Sequence, residues 1–493
     1  MDRLALEPVL RVDDLRALER EHAGAPLMER AGVAAAALAG ALATDRAGPV
    51  VVLAGPGNNG GDGFVVAREL RRAFFDVAVV FRGEVARLPA DARAAHAAWI
   101  ASGGTTRIDP PSGPASLVVD ALFGIGLARA IDERYGALVE WANRGGAPLL
   151  ALDVPSGLDA DRGTANGPAI RATATATFIA WKPGLLTADG PDHAGTVSVH
   201  PLGLDAGRGP RAGRRLVWPA LAASRPAVLA RARRNVHKGT YGTLAIVGGA
   251  HGMTGAPILA GRAAIRAGAG KTRVGFVSSP HPEFDPGAPE LMLSSASHAI
   301  EGADAIVAGP GLGTTDASAN ALRRSIAAGV PLVLDADALN LVSTSLSLAE
   351  SLARRDAATL ATPHPAEAAR LLGTSVADVQ RDRLAAAFAI AQRLRAHVVL
   401  KGAGSVLAHP DGAWELNASG NPALATAGSG DVLAGIAGAL LAQGVEPADA
   451  LRYAVCVHGA AADRRVARGV GPLGVGASEV IDAARELLNG AGD

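Results

Sequence analysis

The chain has 493 residues, which is too many for one ordinary hydrophobic core, so we expect two or more domains. Lys and Arg together number 47, as do Asp and Glu together, and this balance gives no sign of a nucleic-acid or other polyanionic partner. The one cysteine, Cys456, excludes an internal disulfide and favours a reducing compartment. A charged N-terminal stretch and apolar runs too short to cross a bilayer predict a soluble, cytoplasmic protein.

Short apolar runs alternate with helical segments through the first half of the chain. The run VVVLA predicts a strand, the glycine-rich turn GPGNNGGDG (55–63) follows it, and helical spacing begins in GDGFVVARELRRA. Further buried strands are predicted at VAVVF (77–81), LVVDAL (117–122) and PLLALDVP (148–155). This alternation predicts a Rossmann-like, doubly wound parallel sheet.

Polar side chains lie at the carboxyl ends of three of these strands. Asn59 lies in the glycine-rich turn, Asp120 lies near the end of its strand, and Ser156 follows the last strand. Parallel strands would bring these residues to the same edge of the sheet. Carbonyl, carboxylate and hydroxyl oxygens suit a hard cation, and the low formal charge favours K⁺. The alternative interpretation is that these three residues only cap turns and bind no ion.

The first six residues of the glycine-rich turn also match the G-x-G-x-x-G pattern of dinucleotide-binding folds. That match leaves a nicotinamide-dependent dehydrogenase as an alternative, because Glu84 lies at about the right distance to hold a ribose. Against it, the second strand ends in Phe81-Arg82-Gly83, with no acid at its tip.

Three motifs of this half, NNGGDG, DALFGIGLAR and DVPSGLDADRG, resemble those of the NAD(P)H-hydrate epimerases, with Arg162 where Thr is common. The resemblance covers about residues 10–215 and implies an epimerase domain at 1–215. It implies that Asp153 is the acid/base residue and that K⁺ is bound by Asn59, Asp120 and Ser156. Lys182 is a second candidate for the acid/base role, and the alternative is that it is an ordinary solvated lysine. The residues implied to bind the hydrated nucleotide are Asn58, Asn59, Gly60, Gly61, Asp62, Gly124, Ile125, Gly126, Leu127, Ala128, Arg129, Ala130 and Asp153.

Between about residues 205 and 235, eight arginines from Arg208 to Arg234 occur among prolines and small residues. The simple interpretation is a solvated linker between domains. The alternative is a basic rim that faces a phosphorylated ligand.

Strand-like runs then begin again and predict a second α/β domain at 225–493. The predicted strands lie in TLAIVGG (243–249), KTRVGFV (271–277), ADAIVAGPGLG (303–313), VPLVLDADALN (330–340) and HVVLKG (397–402).

The strongest local signal of the second half is GNPALATAGSGDVLAG (420–435). A Gly-Ser-Gly turn leads into Asp431 and a long uncharged helix, whose free N–H groups and dipole would form an anion site. Asp431 could accept a proton from a hydroxyl that attacks phosphorus. The alternative is a glycine-rich turn with an acidic helix cap.

This motif resembles that of the ribokinase-like superfamily, and the flanking motifs narrow the resemblance to the NAD(P)H-hydrate dehydratases. They include HKGTYG (237–242), GPGLG (309–313), LDADALN (334–340), TPHPAEAARLLG (362–373, with Ala366 where Gly is usual) and KGAGSVL (401–407). The resemblance implies that a nucleotide, ADP or ATP with Mg²⁺, phosphorylates the hydroxyl of the hydrated nicotinamide ring, and that phosphate then leaves. Asp431 would be the base. The hydrated nucleotide would contact Ala256, Gly311, His364 and Asp431, and the donor nucleotide Lys401, Gly402, Ala403, Gly404, Ser405 and Gly430.

Together the two resemblances predict a bifunctional NAD(P)H-hydrate repair enzyme, in which the epimerase converts the R hydrate to the S hydrate and the dehydratase consumes the S hydrate. We expect ADP as the donor, small-molecule substrates, no nucleic acid or membrane partner, and a homo-oligomer. The alternatives are a small-metabolite kinase, which would release a stable phosphorylated product, and a non-catalytic nucleotide-binding scaffold.

Overall fold

The computed structural model describes residues 7–45, 47–127, 130–208 and 212–490. By its contacts the chain divides into two compact units. The first runs from Glu7 to Gly213, and the second begins at Arg214.

The first unit is built on a parallel sheet. Its strands are β1 (Pro8–Val9), β2 (Val50–Ala54), β3 (Val77–Phe81), β4 (Thr106–Arg107), β5 (Leu117–Ala121), β6 (Leu149–Leu152), β7 (Ala174–Phe178) and β8 (Thr196–His200). Seven of them form the sheet in the order β4-β3-β2-β5-β6-β7-β8, and every neighbouring pair is parallel. The central strands are fully buried because helices cover both faces of the sheet.

The helices of this unit are α1 (Val12–Glu21), α2 (Leu27–Leu42), α3 (Asn58–Arg72), α4 (Ala90–Ala101), α5 (Glu133–Arg144) and α6 (Gly190–Ala194). The chain moves from β2 outward to β3 and β4, then returns to the other side of β2 with β5. The strand order therefore reverses between β2 and β5. In open parallel sheets such a reversal opens a crevice at the carboxyl ends of the strands, which is where ligands bind.

The second unit has a larger, mostly parallel sheet. Its strands are β9 (Gly213–Leu216), β10 (Thr243–Gly248), β11 (Lys271–Phe276), β12 (Met292–Ser295), β13 (Ala305–Ala308), β14 (Leu332–Leu334), β15 (Thr359–Ala361), β16 (His397–Leu400), β17 (Val406–Ala408) and β18 (Trp414–Asn417). They follow the order β9-β18-β17-β16-β15-β14-β13-β10-β11-β12, with antiparallel pairing only where β17 meets β16 and β18.

The helices of the second unit are α7 (Trp218–Ala223), α8 (Gly255–Arg266), α9 (Ala296–Ile300), α10 (Asp316–Ala327), α11 (Asp337–Thr344), α12 (Leu346–Ala353), α13 (Pro365–Leu372), α14 (Val376–Arg381), α15 (Arg383–Leu394), α16 (Ser429–Ala442), α17 (Pro447–Ala467) and α18 (Ala477–Leu488). Nearly every residue of α16 is buried, as its uncharged sequence predicts. None of the helices in the described residues combines the length and the apolarity that a membrane span requires.

The predicted α/β class with two sheets is confirmed, but the arginine-rich segment is not a solvated linker. Strand β9 and helix α7 lie within it, and β9 pairs with β18 in the second sheet. Leu216, Leu221 and Leu229 belong to the buried core of the second unit. The linker interpretation was wrong because it was based on the many arginines of this segment, whereas its few leucines are the residues that pack into the core.

Candidate active sites

A cavity of about 650 Å³ opens in the first unit at the reversal between β2 and β5. Its volume lies within the range of small-molecule sites, roughly 300–1,000 Å³. Of the predicted substrate-binding residues, the cavity is lined by Asn58, Asn59, Asp62, Gly124, Ile125, Gly126, Leu127 and Asp153. Gly60, Gly61 and Ala130 do not line it, and Ala128 and Arg129 lie outside the described residues.

Most of the glycine-rich stretch (55–63) forms the first turns of helix α3. Helix α3 begins at Asn58, three residues earlier than the predicted helical spacing at Gly61. A Cβ added to Gly60 would lie 2.0 Å from the backbone oxygen of Gly55, so the turn requires glycine at that position. The close approach of the Gly55 backbone therefore accounts for this glycine, while Asn58 and Asn59 lie in the first turn of α3 at the cavity.

Asp120 and Ser156, two of the predicted K⁺ ligands, are hydrogen-bonded to each other in the protein interior. The Ser156 hydroxyl lies 2.6 Å from Asp120 Oδ1, and the Ser156 backbone N–H donates to Oδ2 at 2.8 Å. Burial raises the pKa of Asp120 to about 6, although the hydrogen bonds from Ser156 oppose the shift. The Ser156 hydroxyl also lies 3.1 Å from the backbone oxygen of Phe123.

Asn59, the third predicted ligand, has a buried side-chain amide whose oxygen and nitrogen find no hydrogen-bond partner within the described residues. A Cβ placed on Gly124 would lie 3.3 Å from Asn59 Oδ1 and 2.9 Å from Asp153 Oδ2. The Phe123–Gly124 segment thus joins the Asp120–Ser156 pair to Asn59. An unsatisfied buried amide is costly, so this oxygen is suited to a bound ion.

Asp153 follows β6 and forms an ion pair with Lys182. Its carboxylate Oδ1 lies 2.5 Å from Lys182 Nζ, and Oδ2 accepts a hydrogen bond from the Ile125 backbone N–H at 3.3 Å. Asp153 has φ = +65°, a strained value for a residue other than glycine, of the kind that structures retain at functional sites.

Lys182 has no exposed surface, so the solvated-lysine alternative is wrong. Besides Asp153, its ammonium donates to Thr177 Oγ1 at 2.8 Å and to the backbone oxygen of Phe178 at 2.7 Å. These three partners use all three N–H groups of the ammonium. Lys182 therefore holds Asp153 in position and has no N–H group left to donate to a substrate.

Two more carboxyl groups, Asp62 and Glu19, line the same cavity. Burial, followed by the charges of Asp153 and Glu19, raises the pKa of Asp62 well above its ordinary value. Burial and then Asp153 raise the pKa of Glu19, while Lys182 opposes the shift. Sequence reasoning missed Glu19, which lies on α1. The amphipathic run VDDLRALERE could have indicated a helix, but not which carboxylate faces a cavity.

In the second unit, Asp431 lies in the first turn of α16, directly after the Gly-Ser-Gly turn. Gly428 precedes the helix with φ = +86°, a left-handed conformation that glycine adopts without strain. A Cβ on Gly430 would lie 3.3 Å from Lys401 Nζ and 3.6 Å from Asp335 Oδ2, so this turn meets the Lys401 loop. The helix start, Asp431 and Lys401 thus lie next to one another, and their role in phosphate transfer stays a prediction.

Asp335 follows β14 and holds Lys401 in place. Its Oδ1 lies 2.8 Å from Lys401 Nζ and accepts a hydrogen bond from the Thr362 hydroxyl at 2.6 Å. Although burial lowers the pKa of Lys401, the carboxylates of Asp335 and Glu367 raise it overall. Burial and then Asp335 raise the pKa of Asp431 to about 6, while Lys401 lowers it. Sequence reasoning quoted the LDADALN motif but gave Asp335 no role.

The remaining predicted residues of this unit lie on neighbouring loops. A Cβ on Gly311 would lie 3.3 Å from the Cβ of Ala256, so these two residues are adjacent. His364 caps α13: its Nδ1 accepts hydrogen bonds from the Ala366 and Glu367 backbone N–H groups, and its side chain is 47% exposed. This is a local helix-capping role, and contact of His364 with the hydrated nucleotide stays a prediction. Among the other loop residues, the Ser405 hydroxyl donates to the Gly402 oxygen at 3.1 Å.

A buried histidine lies behind the Gly-Ser-Gly turn. His458 Nε2 lies 3.3 Å from the hydroxyl of Ser429, within the turn. Burial and then Lys401 lower the pKa of His458 to about 4. Its neighbour on α17, Cys456, is also buried, and burial raises the pKa of this thiol to about 12, which leaves it inert.

Comparisons with known proteins agree with this division into two sites. A family model described as YjeF-related protein N-terminus matches residues 24–184, and one described as NAD(P)H-hydrate dehydratase matches residues 244–483. The chain is 40% identical to the bifunctional NAD(P)H-hydrate repair enzyme Nnr of Escherichia coli (strain K12), over 97% of this chain and 93% of that protein. It is 38% identical to the enzyme of the same name from Coxiella burnetii (strain RSA 493 / Nine Mile phase I), over 89% of this chain and 90% of that protein.

Among solved structures, the chain is similar to the ADP/ATP-dependent NAD(P)H-hydrate dehydratase from Bacillus subtilis, co-crystallised with ATP and Mg²⁺. The identity is 32% and the TM-score 0.48, over 55% of this chain and 96% of that one. Because the chain spans nearly the full length of its bifunctional relatives at this level of identity, it belongs to the family of bifunctional NAD(P)H-hydrate repair enzymes.

Proposed function

We propose that this protein restores hydrated NADH and NADPH in two coupled steps. The first unit interconverts the R and S hydrates, and the second removes water from the S hydrate at the expense of a nucleotide, with ADP as the expected donor. The observation that carries the proposal is that each unit brings an aspartate close to a lysine: Asp153, directly after β6, pairs with Lys182, and Asp431, in the first turn of α16, lies in the turn that meets Lys401. The two activities depend on each other, since a dehydratase for one epimer leaves the other unused.

The second unit offers the parts of a phosphoryl-transfer site. Asp431 would take the proton of the ring hydroxyl as that oxygen attacks phosphorus, and a base whose pKa is about 6 is ionised at neutral pH. The N-terminal N–H groups of α16 and the Lys401 ammonium would stabilise charge on the transferred group. The phosphate would then leave, with the electron pair of the ring nitrogen restoring the dihydronicotinamide.

Mg²⁺ would neutralise the phosphates of the donor nucleotide. The described residues contain no group of three or more His, Cys, Asp or Glu side chains arranged to hold a metal ion. Since Mg²⁺ commonly takes much of its coordination from water and substrate phosphates, this observation is compatible with a nucleotide-bound ion. We assign no residue of the chain to it.

In the first unit, Asp153 would serve as the base for the reversible loss and return of the ring hydroxyl. The Lys182 ammonium holds the Asp153 carboxylate in position, and this carboxylate would lie where the ring becomes cationic. K⁺ would be held by Asn59, Asp120 and Ser156, and the unpartnered oxygen of Asn59 supports this fit. The ion would supply a fixed positive charge beside the substrate loops.

The test starts from a mixture of R and S hydrates of NADH, with ADP or ATP and Mg²⁺, and follows the recovery of NADH absorbance. The wild-type chain should recover nearly all of the cofactor, and the Asp431→Asn variant should recover none. The Asp153→Asn variant should recover only the share that is present as S hydrate before spontaneous epimerisation. Failure to recover NADH with either nucleotide would contradict the proposal, and a stable phosphorylated product would indicate a small-metabolite kinase instead. A cytoplasmic location and a homo-oligomeric state remain predictions.

A further inference from the structure

Among the described residues, four with carboxyl groups line the cavity of the first unit, and three of them, Glu19, Asp62 and Asp153, are at least partly buried, whereas Asp91 is exposed. Asp153 pairs with the ammonium of Lys182, which donates to it and to two neutral oxygens. Asp62 and Glu19 have no hydrogen-bond or ion-pair partner for their carboxyl groups within the described residues, although both line the cavity. An epimerase that expels a hydroxyl needs a proton donor, and the ion-paired Asp153 is poorly suited to that part.

Glu19 is placed to meet this need. It lies on α1, which precedes the start of the matching family model at residue 24, and its side chain is partly buried. Burial and the negative charge of Asp153 raise its pKa, so it holds its proton to higher pH than an exposed glutamate. Asp153 and Lys182 act on both Glu19 and Asp62. Arg16 and Arg20, on α1, act on Glu19, and Glu19 acts on Asp62. The other titratable residues that line the cavity are His22 and Asp91.

We propose that Glu19 is a catalytic residue of the epimerase and gives a proton to the departing ring hydroxyl. This inference rests on the proposed epimerase function of the first unit. It extends the active site to α1, which lines the same cavity as Asn59 and Asp153.

The proposed step balances without an oxidant or a further reactant. The C–O bond of the hydrated carbon breaks, its electron pair stays on oxygen, and oxygen takes the Glu19 proton and leaves as water. The ring nitrogen shares its lone pair to form a C=N bond. A water molecule then adds to the opposite face, its proton passes to Asp153, and the C=N pair returns to nitrogen. Both carboxyl groups re-equilibrate with water, so the net change is the inversion.

The experiment uses the full chain carrying Asp431→Asn, so that dehydration does not consume the S hydrate. Hydrated NADH enriched in the R epimer is added, and the R and S hydrates are separated by chromatography over time. Glu19→Gln should lower kcat for epimerisation about 100-fold and change KM less than about threefold. The matched control is Glu21→Gln, a glutamate on the same helix that is exposed and outside the cavity, and it should match the parent.

The pH profile separates a proton donor from a structural contact. For the parent, the rate should fall as pH rises and Glu19 loses its proton, and the residual rate of Glu19→Gln should lack this alkaline limb. Glu19→Asp, which keeps an acid, should recover part of the rate and the limb. Equal melting temperatures for the Glu19 and Glu21 variants would show that folding is unaffected.

Two results would overturn the inference. One is a Glu19→Gln variant that keeps more than half of the parent kcat. The other is an alkaline limb that disappears in Asp62→Asn but persists in Glu19→Gln, which would make Asp62 the donor. A parent chain that does not epimerise above the spontaneous rate would contradict the epimerase function itself, and this outcome is distinct from both.

Discussion

Lys182 Nζ lies 2.5 Å from Asp153 Oδ1 in the interior of the first unit, and neither charge has another charged partner at hydrogen-bond distance among the described residues. The pair joins the residue after β6 to a segment beyond β7. Each charge compensates the desolvation of the other, and Thr177 and Phe178 satisfy the remaining N–H groups of the ammonium. This relationship holds Asp153 in position and places a positive charge beside it.

Replacing Lys182 with methionine should therefore destabilise the first unit strongly. The change leaves the Asp153 carboxylate, only 8% exposed, without its counter-charge, and breaking one side of such a buried pair costs about 3–5 kcal/mol. The free energy of unfolding would be measured by urea titration of the full chain. The double variant Lys182→Met/Asp153→Asn should recover part of the loss because no unpaired charge remains. Lys238→Met, at an exposed lysine, is the control, and a loss no greater than that of the control would contradict the expectation.

Four strands of the first unit, β2, β3, β5 and β6, could be predicted from sequence, whereas β1, β4, β7 and β8 were not predicted. The runs at Val50–Ala54 and Val77–Phe81 were predicted to the residue, because a strand buried on both faces is a continuous apolar segment between turns. In the second unit, β9, β12, β15, β17 and β18 were not predicted, because a strand of three or four residues carries no readable period. The equally short β14 and β16 were predicted because they lie within the longer apolar segments VPLVLDADALN and HVVLKG.

The confirmed family and its two activities followed from motifs, whereas the electrostatics of the sites did not. The burial of Lys182 depends on Asp153, which lies 29 positions away along the chain and meets it only through the order of the strands. Glu19 reaches the cavity from a helix with no recognisable motif. Motifs mark local backbone requirements, but side chains from separate elements meet only in the folded chain. The individual roles of the site residues stay predictions until the variants are made.

Asp335 should set the acid limb of the dehydratase. The pKa of Asp431 is raised to about 6 by burial and by Asp335, so the dehydration rate should rise as pH increases through about 6 and the base loses its proton. Asp335→Asn removes a negative neighbour and releases Lys401 from its ion pair, and both changes favour the Asp431 carboxylate. The acid limb of kcat against pH should therefore move to lower pH. Asp316→Asn, at an exposed position on α10, should leave it in place, and an unmoved limb in the Asp335 variant would count against the assignment.

His458 should make the second unit sensitive to acid. Its pKa is lowered to about 4 in the folded protein, against about 6.5 for an unfolded histidine, so between these values the unfolded chain binds more protons. Stability should fall as pH decreases from about 6.5 to about 4. His458→Gln keeps a hydrogen-bonding group beside Ser429 without a titrating ring, so the urea midpoint should depend less steeply on pH across this window. Identical slopes for the two proteins would refute this source of acid sensitivity, because other titrating groups are common to both.

K⁺ should stabilise the first unit through Asn59. An ion that binds only the folded state raises the unfolding free energy with the logarithm of its concentration above the dissociation constant. The melting temperature and the epimerisation rate should therefore be higher in KCl than in NaCl or tetramethylammonium chloride at equal ionic strength. Asn59→Ala removes the unpartnered oxygen and should abolish the difference between the salts. If K⁺ still raised both quantities in Asn59→Ala, the ion would bind elsewhere, and the cost of the unsatisfied amide would need another explanation. Equal values in all three salts for the wild-type chain would instead argue that Asp120 and Ser156 satisfy each other without an ion, as their 2.6 Å hydrogen bond allows.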